Sequence, residues 1–133
     1  MSDKTNPGNF FEDFRIGQEL RHATPRTVSA GDAAVYMGLY GSRFALSSSA
    51  TFAQSLGFPH APLDELLGFH IVFGKTVPDV SLNAIANLGY AACHFCAPIY
   101  PGDTVSTVST VIGLRENSNK QSGVVYVHSI GRN

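Results

Sequence analysis

Charge is scarce in this chain: nine Lys or Arg and ten Asp or Glu among 133 residues, for a formal net charge of −1. A chain so nearly neutral offers no basic surface for nucleic acid or an anionic membrane, and neither is expected as a partner. Tryptophan is absent, and there are only two cysteines and two methionines. No stretch approaches the roughly 20 apolar residues of a membrane helix. The opening MSDKTNPGNFFEDF is polar and then aromatic-acidic, without the charged-then-apolar order of an export signal, so a cytoplasmic setting is expected. What is present is apolar: 44% of residues are hydrophobic, enough for one domain over 1–133 around a single core. So little charge points to a surface partly covered by a partner.

The two cysteines sit together as Cys93-His94-Phe95-Cys96. Half a zinc site or a redox pair would have this spacing. Zinc needs a second ligand cluster, whereas His22, His60, His70 and His128 are scattered singly. A redox pair needs a βαβ setting, and ANLGYAACHFCAPIYPGD reads as strand then turn. The expectation is therefore two small buried thiols in a strand, with no metal and no cofactor.

The pattern changes period half-way along. Ser29 or Asp32 is a candidate N-cap for a short helix over Ala33–Leu39. Ser47–Leu56 reads as a second helix, with Thr51, Phe52 and Leu56 toward the core and Gly57 as its stop. Leu63–Val77 is the longest helical pattern, with Leu63, Leu66, Leu67, Ile71 and Phe73 near helical spacing and Pro78 ending it. Beyond it, Asn83–Tyr90, His94–Ala97, Thr104–Leu114 and Gly123–Ile130 are β-rich. Pro101-Gly102-Asp103 is a turn, and Glu116–Ser122 a hairpin tip. Helices followed by an antiparallel meander make an α+β protein with its sheet against one long helix.

Two stretches carry a family pattern. Tyr40 to Phe58 reads YGSRFALSSSATFAQSLGF, and Tyr100 to Thr104 reads YPGDT. Together they resemble the MaoC-like dehydratases, hot-dog-fold hydratases that add water to 2-enoyl-CoA thioesters. The family's working residues are an Asp after Gly, then a His, then an acidic residue, followed by Phe-Ala and Gly-Phe. Registered on Phe52-Ala53 and Gly57-Phe58, these positions hold Ser42, Ser47 and Ser49, so the frame is kept and the acid–base pair is not. The runs FEDFRIGQ, HATPRT, LGFHIVFGKTVPDVSLNAIANLGYA and VIGLR extend the resemblance over nearly the whole chain. It is similar to the N-terminal half of the double-hot-dog subgroup that interconverts mesaconyl-CoA and β-methylmalyl-CoA. The family's Ala-His-Gly before the long helix is replaced by Leu63-Asp64-Glu65.

The resemblance implies a hot-dog fold, an antiparallel sheet wrapped on a long central helix, missing its last strand. It also implies the non-catalytic N-terminal half of a double hot dog, partnered by an acyl-CoA and by a second half in the same chain or a homo-oligomer. Hydration of an enoyl thioester requires a carboxylate and a neutral imidazole near one water, and a serine hydroxyl is no base near neutral pH. Ser42, Arg43, Ser47 and His70 are candidate substrate contacts. Their plainer readings are loop and cap residues of a degenerate motif for the first three and a core or interface histidine for His70. Asp64 and Glu65 suit the positive end of the helix they open. Tyr90, Phe95 and Tyr100 read as core. Two other readings stay open: an acyl-thioester-binding or assembly module without catalysis, and a thioesterase using Asp64 or Glu65. The chain stops just after GVVYVHS, which would leave an open strand edge; a longer natural polypeptide is expected.

Overall fold

The computed structural model describes residues 7–23, 25–41 and 44–133. They fall into two compact units, each assembled from discontinuous segments. The first comprises the described residues within Met1–Thr24, with Val72–Tyr90 and Ser106–Arg132; the second comprises Pro25–Ile71 and Ala91–Val105 with Asn133.

The first unit is built on a hairpin. Strand β3, Thr104–Glu116, pairs antiparallel with β4, Gly123–Arg132, from Ser106 opposite Arg132 to Glu116 opposite Gly123. Alternation of Val, Thr and Ser gives β3 a buried face of Val105, Thr107, Ser109 and Val111, as period-two burial requires. A bulge at Ile112 shifts the register between Val111 and Gly113. The hairpin tip closes through Asn117, whose N–H donates to the Ser122 carbonyl at 3.0 Å. A short strand that the sequence does not announce, β1 at Glu19–Arg21, adds to the other edge of β3 opposite Val108–Thr110. Its polar, charged composition hides it, because three residues docked on an existing strand need no propensity of their own.

The long helix α4 spans Glu65–Thr76. Pro78 ends its α-helical bonding, but the chain coils on through a wider π-turn at Val77–Ser81. In the first unit the end of α4 lies on the hairpin: a Cβ added at Gly131 would overlap the Val72 side chain.

In the second unit, helix α1 spans Ala30–Tyr40. Its N-cap is Ser29, whose Oγ accepts from the Asp32 N–H at 3.1 Å while Asp32 Oδ2 accepts from the Ser29 N–H at 2.9 Å, a reciprocal capping box. The expected helix over Ser47–Leu56 is two: α2 at Ala45–Ser48 and α3 at Ala50–Ser55, broken where Ser49 turns extended and caps α3. That break resets the helical phase, so Ala53 is the buried residue of α3 while Thr51, Phe52 and Leu56 are exposed. Gly57, at φ +90°, completes a Schellman stop: its N–H donates to Gln54 and the Phe58 N–H to Ala53. Strand β2, Arg26–Thr27, also unannounced, pairs with Val105 and Thr104.

The β-rich runs Asn83–Tyr90 and His94–Ala97 form no strand among the described residues. Residues of high β propensity become a strand only against a partner edge, and none is seated there. Cys93 and Cys96 are exposed in this irregular stretch, not buried in a strand. His70 is likewise exposed on α4, not a core residue. No described helix is long and apolar enough to cross a membrane.

Candidate functional site

The family-like frame lies in the second unit. Ser42 and Arg43 fall outside the described residues. Ser47 Oγ donates to the Phe44 carbonyl at 3.3 Å, and Ser48 Oγ to the same carbonyl at 3.0 Å. Ser49 Oγ accepts from the Phe52 N–H at 3.2 Å. These are local side-chain-to-backbone bonds, the usual occupation of serines at helix ends.

The amino end of α4 is closed by its own chain. Asp64 Oδ1 accepts the Leu66 N–H at 2.9 Å, putting a carboxylate where the first-turn N–H groups and the helix dipole favour an anion. One turn further, His70 lies against two rings: Tyr36 of α1, with centroids 6.3 Å apart, and Phe69, at 5.6 Å. Tyr36 in turn stacks obliquely on Tyr40 at 4.7 Å. Partial burial raises the Tyr36 phenol above its ordinary value, and the nearby Asp64 carboxylate and Tyr40 add to the effect. The phenol is therefore a proton-bearing donor throughout the neutral range. The structure brings His70 and Asp64 into one neighbourhood with Tyr36 and Tyr40. The tyrosines escape the sequence reading because their only signal is the four-residue spacing on one helical face.

A second array lies inside the first unit. The His22 side chain is fully buried; its Nδ1 is 2.7 Å from Asp79 Oδ2 and its Nε2 2.7 Å from Ser109 Oγ. Ser109 Oγ is 2.6 Å from Ser129 Oγ across the β3–β4 pair. The order carboxylate, imidazole, hydroxyl is that of a nucleophilic triad. Its hydroxyl, however, is sealed: Ser109 has no exposed surface, so no substrate reaches it. The array is a buried polar hub. Among the described residues no group of three or more His, Cys, Asp or Glu is arranged to hold a metal.

The model of the MaoC-like domain family matches residues 12–133. The chain belongs to the MaoC-like family. The MaoC-like domain is 71% identical over its 133 residues to the β-methylmalyl-CoA dehydratase of Chloroflexus aurantiacus, matching all of this chain and 38% of that protein. It is 61% identical over 130 residues to the mesaconyl-CoA hydratase of Cereibacter sphaeroides, covering 98% of this chain and again 38% of the relative. The MaoC-like domain thus spans well under half the length of both curated relatives. Among solved structures, a Mycobacterium tuberculosis protein with a double hot-dog fold superposes with a TM-score of 0.81 at 28% identity, over 94% of this chain and 40% of that one. The fold is the hot-dog fold, with its antiparallel sheet and central helix.

Proposed function

We propose that this domain is the acyl-pocket-forming half of a hydro-lyase that adds water reversibly to mesaconyl-CoA, giving β-methylmalyl-CoA. In that reaction the hydroxyl joins the β-carbon of the enoyl thioester and a proton joins the α-carbon. The substrate reading is supported by relatives that carry those activities in their names and align with this chain from end to end. The acid–base pair belongs to a second hot-dog domain, because the corresponding positions here hold Ser42 and Ser47.

One observation carries the division of labour: the Asp64 carboxylate on the Leu66 N–H. A hydratase half must stabilise the negative charge that develops on the thioester oxygen, and free N–H groups at a helix amino end do this well. Here that end already holds a fixed negative charge, which opposes a second one. What remains suits walling and orienting an acyl group: the phenols of Tyr36 and Tyr40, the His70 imidazole, and the hydroxyl of Ser47.

The test is water addition to mesaconyl-CoA by the protein at its natural length, beside the isolated 133 residues. Activity in the first and none in the second is expected. Saturable hydration by the 133 residues alone would sink the reading, and a natural-length protein that binds acyl-CoA without hydrating it would make the domain an acyl-thioester-binding module.

A further inference from the structure

The buried array around His22 has a sealed middle and two ends that reach solvent. Neither the His22 side chain nor Ser109 has any exposed surface, whereas the Asp79 side chain is 27% exposed and Ser129 is half-buried. Contacts of 2.7, 2.7 and 2.6 Å string Asp79, His22, Ser109 and Ser129 into one chain of short hydrogen bonds. All four residues belong to the first unit.

The direction of that chain follows from its donors. The Asp79 carboxylate only accepts, so His22 Nδ1 bears hydrogen. In the neutral ring Nε2 is then an acceptor and takes the Ser109 proton, while Ser109 Oγ takes that of Ser129. A second proton on the ring makes Nε2 a donor. Both hydroxyls then turn outward, Ser109 toward Ser129 and Ser129 toward water. Each serine serves either order, because a hydroxyl is donor and acceptor and its hydrogen rotates. No backbone has to move.

Asp79 is the counter-charge on the π-turn side of the ring. From β3 and β4 the ring meets uncharged hydroxyls, with Thr107 next along the same buried face. Glu19, Arg21, His128 and Arg132 pair with residues of the opposite face of β3 and so point away. In the arm, Asp13 is occupied by the Phe10 N–H, and Arg15 by the Glu12 and Phe14 carbonyls.

We infer that Ser129 and Ser109 are a proton relay, through which the sealed His22 ring exchanges a proton with solvent while the N-terminal arm stays closed. In uptake, a solvent acid gives a proton to Ser129 Oγ as the Ser129 proton passes to Ser109 Oγ and the Ser109 proton to His22 Nε2. Each oxygen gains one O–H bond and loses another, so the net change is one proton on the imidazole. The Asp79 carboxylate, 2.7 Å from Nδ1, balances the charge that a buried imidazolium could not carry alone. Release runs in reverse. The anchor of the arm thereby changes from hydrogen bond to ion pair with the acidity of the medium, without unfastening.

The experiment is NMR of the histidine ring nitrogens in the natural-length protein labelled at histidine, with His22→Gln assigning the signal. The expected neutral ring carries its proton on Nδ1, and acidification moves one averaged His22 signal. In Ser129→Ala, uptake must wait for the arm to open and should slow at least about tenfold. Ser129→Thr, which keeps a hydroxyl, should restore the original rate. A neutral ring protonated on Nε2 would overturn the inference, as would a ring whose protons never change while the protein is folded. So would uptake no faster than exchange of the His22 backbone N–H, which the Thr107 carbonyl holds at 3.1 Å. These three readings need no variant and decide the matter even if Ser129→Ala does not fold. An unchanged rate in a folded Ser129→Ala protein overturns it equally.

Discussion

The Nδ1 atom of His22 lies 2.7 Å from a carboxylate oxygen of Asp79, and its Nε2 2.7 Å from the Ser109 hydroxyl. One imidazole thereby joins the N-terminal arm, the π-turn after α4 and the central strand. Replacing it with alanine removes the link from both partners and leaves a cavity. His22→Ala should cost about 3 kcal/mol of stability, read from urea unfolding of the natural-length protein. A loss below about 0.5 kcal/mol would mean that the hub does not hold these segments together.

Gly131 is opposite Thr107 in the β3–β4 ladder, with Val72 against its Cα. An added methyl has no room there, so Gly131→Ala should destabilise by about 1–3 kcal/mol. Val72→Ala in the same chain should recover part of that loss. Strict additivity in the double-mutant cycle would argue against contact between α4 and the hairpin at this point.

The Asp32 carboxyl is held below its ordinary value of 3.8, first by the Ser29 N–H and Ser29 hydroxyl and then by Arg26. A lowered folded-state value means the capping box contributes its stability above about pH 3.8 and loses it as pH falls through the Asp32 midpoint. Ser29→Ala should move the Asp32 midpoint upward, toward 3.8, in a carboxyl-carbon NMR titration. An unmoved midpoint would sink the capping assignment.

If Ser47 has no acid–base role, Ser47→Ala in the natural-length protein should change turnover by less than about tenfold, against the ~10²–10⁴ contributed by a true acid–base group. Steady-state kinetics with mesaconyl-CoA decides it. A loss of three orders of magnitude would return Ser47 to the chemistry.

The hairpin and the Gly57 stop were legible because each is written in neighbouring residues: alternation for β3, a glycine where the backbone turns left-handed. The long helix was legible for the same reason. The sequence narrows the cap of α1 to Ser29 or Asp32; the structure gives it to Ser29, with the helix starting at Ala30 and not Ala33. The family-like frame was equally plain, since Phe52-Ala53 and Gly57-Phe58 fix its register. What escaped is non-local. Glu19–Arg21 becomes a strand only because β3 offers it an edge, and Asn83–Tyr90 stays irregular because no described strand does. Scattered in sequence, His22 looked idle; 57 residues separate it from Asp79 and 87 from Ser109. No window of sequence contains that hub. Tyr36 drew no attention because its meaning comes from the helix it faces.

The same separations bear on how the protein emerges from the ribosome. Asn9 and His22, made first, bond to Asp79, and His22 also needs a hydroxyl 87 residues downstream. Until β3 has been synthesised, β1 in the N-terminal arm has no strand edge to pair with. Phe14, buried once the fold is complete, stays open to solvent until the arm docks, an interval open to a nascent-chain chaperone.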